Sequence, residues 1–87
     1  MSKLPGNMEL VQTTSFRIEL RDGYVLTGHI NARNNKVSWW MTKVGYTKST
    51  YCFSTFPYGV RMLSDLKPQL EAVESYIALF DKTCINN

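Results

Sequence analysis

Between Ser15 and Ile30 the chain alternates, and this constrains the fold more than any other feature. Phe16, Ile18 and Leu20 alternate with Ser15, Arg17 and Glu19. Tyr24, Leu26 and Ile30 alternate with Val25, Thr27 and His29. Period two marks a strand with one buried face. Arg21-Asp22-Gly23 joins the runs. A two-residue Asp-Gly loop would set Leu20 opposite Val25 and put the two apolar sets on opposite faces. A three-residue loop with Gly23 left-handed pairs Leu20 with Tyr24 and Ile18 with Leu26, so that both sets share one face. The second register is therefore expected. Phe16 then faces Gly28, whose missing side chain leaves room for the ring.

Asn34-Asn35 forms the next turn signal, because asparagine tolerates positive φ. A two-residue turn pairs Arg33 with Lys36, Ile30 with Trp39, and His29 with Trp40. The third strand then covers residues 36–43. A fourth, over residues 48–56, ends at Pro57-Tyr58-Gly59. Tyr51 and Phe53 lie on one side of it and Cys52 and Phe56 on the other, and either side fits the core. In residues 64–82, Leu66, Leu70, Val73, Ile77 and Phe80 recur at helical spacing. Ser64 or Asp65 caps this helix and Pro68 falls in its first turn.

These features predict one α+β domain over residues 1–87. It has a curved antiparallel β-sheet, a meander over residues 15–56, and one C-terminal α-helix packed on one face. The sheet has four strands, or five if residues 8–11 add an edge strand. Residues 1–12 otherwise read as a flexible arm. A core this small favours a homodimer.

Net charge is +3 over 87 residues, unevenly spread. Through Met62, eight basic residues oppose three acids, a balance of +5. From Leu63 onward two lysines oppose four acids, a balance of −2. The sheet half is basic and suits an anionic partner, although ordinary surface charge explains the same numbers. The opening residues Met1-Ser2-Lys3-Leu4-Pro5-Gly6-Asn7 contain no apolar run, and no stretch has membrane-spanning length. A cytoplasmic protein without a membrane partner is expected. Cys52 and Cys84 are expected as reduced thiols rather than a disulfide.

No catalytic constellation stands out. His29 is the single histidine, and Cys52 and Cys84 lack ligand-type spacing. Dinucleotide and phosphate-loop motifs are absent. The chain therefore reads as non-enzymatic, without cofactor, metal or small-molecule substrate. The informative surface is the outer sheet face, which gathers Arg17, Thr27, His29, Asn31, Arg33, Lys36, Ser38, Trp40 and Thr42. Lys43, Tyr46 and Lys48 follow in a loop of lysines, hydroxyls and tyrosines. Three readings of this face stand side by side. Trp40 stacks nucleobases while cations meet phosphates; it anchors a protein interface, self-association included; or another part of the chain covers it.

The segment Phe16–Ile30 resembles the first motif of Sm-like RNA-binding barrels. Asn34 and Ser38 stand where that motif has aspartate and asparagine, the second motif is missing, and the helix follows the sheet instead of preceding it. Four strands followed by a helix are also similar in topology to a coactivator family of dimeric single-strand DNA binders. The expectation is a small binding protein for single-stranded nucleic acid. Arg17, His29, Arg33, Lys36, Trp40, Lys43, Tyr46 and Lys48 are its contact residues. The alternative is a protein-binding module, such as a phage- or mobile-element-encoded inhibitor of a host enzyme or defence complex.

Overall fold

The computed structural model describes residues 8–12, 15–57 and 59–85. Five strands form one antiparallel meander: β1 (Met8–Gln12), β2 (Ser15–Glu19), β3 (Tyr24–Asn31), β4 (Lys36–Lys43) and β5 (Thr50–Thr55). They lie side by side in chain order, with β1 and β5 as edges. Among the described residues the sheet is thus open, unlike the closed barrel of the first family resembled. Residues 1–7 of the expected arm lie outside the described residues.

The β2–β3 hairpin has the expected register, with Ile18 opposite Leu26 and Phe16 opposite Gly28. Asp22 and Gly23 both take positive φ in its loop. The Leu20 N–H donates to the Tyr24 carbonyl at 2.9 Å. At Gly28 a Cβ would come within 2.6 Å of Val37 and 2.9 Å of the Trp39 ring. The glycine is therefore required by the close approach of two side chains, Val37 and Trp39, on the inner face.

The β3–β4 register differs from expectation. Gly28 pairs with Trp39, His29 with Ser38, and Thr27 with Trp40. The expected pairing of His29 with Trp40 is thus incorrect, as is that of Arg33 with Lys36. The turn spans four residues because Asn31 organises it. The Asn31 carbonyl accepts the Asn35 N–H, and the Asn31 side-chain oxygen accepts the Arg33 N–H, both at 2.9 Å. Only Asn35 of the Asn-Asn pair takes positive φ, whereas a two-residue type I′ turn needs both. The shift is two residues, so each side chain keeps its predicted face.

Two helices cover the inner face, where one was expected. Helix α1 (Gly59–Glu71) begins five residues earlier than the sequence suggested, with Pro68 in its interior. Helix α2 (Val73–Phe80) follows, and one π-helical turn covers Asp81–Ile85. The break falls at Ala72, whose N–H is shared between the carbonyls of Pro68 and Gln69, each 3.2 Å away. Pro68 itself has no N–H for the preceding turn. The predicted apolar stripe packs into the core in full, and Met62 extends it by one turn. Trp39 lies at the centre, 0% exposed, between the rings of Phe16 and Phe53. Its Nε1–H donates to the buried Thr55 hydroxyl at 2.7 Å.

One ion-pair group ties the β2–β3 loop to α2. Arg21 donates to both carboxylate oxygens of Glu74, at 2.9 and 2.6 Å, and also to Asp22. The Arg21 hydrogen bond holds Glu74 below its ordinary value of 4.5. A lowered carboxylate stabilises the fold fully above that ordinary value, and the contribution is lost as pH falls through the lowered one. Glu74→Gln should therefore lower the thermal midpoint at neutral pH and converge with wild type in acid, which melting curves across that range measure. The shift should be small, because both groups are exposed and screened.

Candidate functional site

The outer face is a grid set by the strand registers. One row runs Arg17, Thr27, Trp40, Tyr51, and the next runs Ser15, His29, Ser38, Ser54. Asn31 and Lys36 begin a third. Between Trp39 and Trp40 the β4–β5 register slips, so these neighbours oppose Phe53 and Tyr51. Cys52 is the extra residue of this bulge. A bulge breaks alternation, so Tyr51 points outward although Phe53, two residues on, points inward. Strict alternation would have put both on one side.

Trp40 and Tyr51 meet edge to face, with ring centroids 5.6 Å apart and planes at 74°. Trp40 is half-buried and Tyr51 is 47% exposed. Around Trp40 lies a concavity of about 520 Å³. Thr27, His29 and Asn31 of β3 line it, with Ser38 and Thr42 of β4, and Ser49 from the loop before β5 closes one side. The floor therefore combines hydroxyl, amide and imidazole side chains with the apolar surface of Ile30 and the Trp40 ring, and no carboxylate, lysine or arginine lines it.

Cations stand at the margins. Arg17 lies on the outer face, but its guanidinium pairs with Glu19 at 2.6 Å. Arg33 projects from the β3–β4 turn, Lys36 stands at the start of β4, and Lys48 lies in the loop beside Ser49. Among the described residues, these last three have no carboxylate within ion-pair distance. Lys43 and Tyr46 lie elsewhere. The Lys43 ammonium sits 4.6 Å from the centroid of the inward-facing Tyr24 and 5.8 Å from that of Tyr46. Tyr46 packs edge-on against Phe80. Both thus help to close the core end near Tyr24, whose hydroxyl donates to Asp81 at 2.5 Å. Two residues the sequence did not single out, Phe56 and Arg61, meet Lys36 at the opposite corner. The Lys36 ammonium lies 5.6 Å, and the Arg61 guanidinium 4.4 Å, from the Phe56 centroid.

Among the described residues no cluster of three His, Cys, Asp or Glu side chains is placed to hold a metal. Burial pushes the Cys52 thiol up to about 11, so it is a neutral thiol near pH 7 and a poor nucleophile. Cys52 and Cys84 are both free. Among the described residues no helix is long and apolar enough to cross a membrane.

The fold defines an α+β domain: a five-stranded antiparallel meander with helices on one face and, on the opposite face, polar side chains with an aromatic pair on β4 and β5. Comparisons with protein families, with curated proteins and with solved structures find no match to this chain.

Proposed function

We propose that the outer sheet face binds single-stranded nucleic acid, with Trp40 and Tyr51 as the stacking platform and Arg33, Lys36 and Lys48 meeting phosphates. The observation that carries this reading is an aromatic pair on β4 and β5 beside a concavity rich in hydroxyl and amide side chains, flanked by cations that have no ion-pair partner among the described residues. Bases of any sequence stack on aromatic faces, and hydroxyls and amides satisfy their edges. His29, beside Trp40 in the concavity, offers one more donor or acceptor. The reading treats the protein as a non-enzymatic, cytoplasmic binder without a cofactor.

The test is an anisotropy titration with a labelled single-stranded oligonucleotide at two salt concentrations. Each neutralised phosphate contributes about −0.7 to the slope of log K against log salt, so three rim cations give a slope of about −2 or steeper. Affinity should then fall roughly 20-fold between about 50 and about 200 mM salt. Absence of binding at low salt removes the reading.

The uncharged centre favours a second reading, a protein-binding module in which Trp40 and Tyr51 fill a partner's pocket. Binding of that kind is led by apolar burial and depends much less on salt.

A further inference from the structure

Along the outer side of β4 and β5, residues succeed each other in pairs. Trp40 stands beside Tyr51 and Ser38 beside Ser54. Lys36 then lies over Phe56, the residue that follows β5. The ribbon thus changes from an aromatic pair, through a hydroxyl pair, to a cationic cluster. Four strand steps separate Trp40 from Lys36, roughly 13 Å at the usual rise.

The cationic end has an unusual composition. Lys36 and Arg61 converge on the half-buried Phe56 ring from different elements, one from β4 and one from the first turn of α1. Both are exposed, and neither has a carboxylate partner among the described residues. The first turn of α1 holds no acidic residue. An aromatic face attracts a cation but does not neutralise it. The ring therefore gathers two like charges that remain unbalanced, and an anion within reach of both offsets their repulsion. A guanidinium and an ammonium held at one ring suit a phosphodiester backbone, because the planar fork grips two oxygens while the ammonium supplies a point charge.

We propose that Lys36 and Arg61 form the phosphate-binding end of a track that begins at Trp40 and Tyr51. The bound strand runs along the β4–β5 ribbon, stacked at one end and clamped by its backbone at the other. This rests on the nucleic-acid reading above and adds Arg61, on a helix, to the contact surface.

The test measures salt slopes for wild type, for Lys36→Gln with Arg61→Gln, and for a control carrying Lys67→Gln with Lys82→Gln on the helical side. Losing two phosphate contacts should flatten the slope by about 1.4 in the first double variant, while the control keeps the wild-type slope. All four positions are exposed, so melting curves should match wild type. An unchanged slope in Lys36→Gln with Arg61→Gln, with binding still lost in Trp40→Ala, overturns the track and leaves the stacking face standing. Equal flattening in both double variants also overturns it, because net charge alone would then explain the effect. A wild-type protein that binds no oligonucleotide removes the track together with the reading on which it rests.

Discussion

Trp39→Ala is expected to leave most of the chain unfolded at physiological temperature. The side chain is fully buried between two aromatic rings and lies against Gly28, so its removal opens a cavity under both the sheet and the helices. Buried tryptophan truncations cost about 3–5 kcal/mol. The Thr55 hydroxyl, 1% exposed, also loses its donor, and an unpaired buried polar group costs a further ~1–3 kcal/mol. Domains hold about 0.05–0.15 kcal/mol per residue, which gives roughly 4–13 kcal/mol for this chain. The loss is thus comparable with the whole stability. Thermal melting should show a midpoint lowered by well over 10 °C, at about 4–8 °C per kcal/mol. Trp39→Phe should fall between wild type and alanine, since it retains ring packing and loses only the N–H donor and some volume. A Trp39→Ala protein that melts within about 2 °C of wild type would show that this ring does not anchor the core.

The adjacent residue should behave in the opposite way. Trp40→Ala is expected to keep the fold and lose binding. Trp40 is half-buried on the outer face, and its aromatic neighbour there is Tyr51. Losing that edge contact costs about 0.5–1.5 kcal/mol. Stacking of one base is worth about 1–3 kcal/mol, so oligonucleotide affinity should fall by about 5- to 150-fold. Trp40→Phe should recover part of this, because a smaller ring still offers a face. If Trp40→Ala binds as well as wild type at equal salt, the stacking platform is absent. If it melts as low as Trp39→Ala, the indole belongs to the core and not to a surface.

That two adjacent tryptophans face opposite sides was legible from alternation alone. So was the β2–β3 register, because only one loop length puts Phe16, Ile18, Tyr24 and Leu26 on the same side. The β3–β4 register was not. It depends on the Asn31 side chain bonding across the turn, a local competition that residue preference does not resolve. Face assignments survived because the shift was even. At β5 alternation fails physically: the bulge at Cys52 turns Tyr51 outward, and an extra residue in a strand leaves no composition signal. The helical stripe was legible, but Pro68 suggested a helix start where there is none, and nothing in residues 59–63 resembles a cap. The corner formed by Phe56 and Arg61 with Lys36 was invisible for a different reason. It joins three elements in space, and no sequence spacing encodes that meeting.

The two indole N–H resonances offer the most direct view of the contact surface. An amide correlation spectrum recorded during titration with a single-stranded oligonucleotide should shift the Trp40 indole peak, with the amides of Thr27, Ser38, Tyr51 and Lys36. The Trp39 indole peak, bonded to Thr55 inside the core, should stay in place. Perturbations confined to α1 and α2, with the Trp40 peak unmoved, would contradict the assignment of this sheet face as the binding surface.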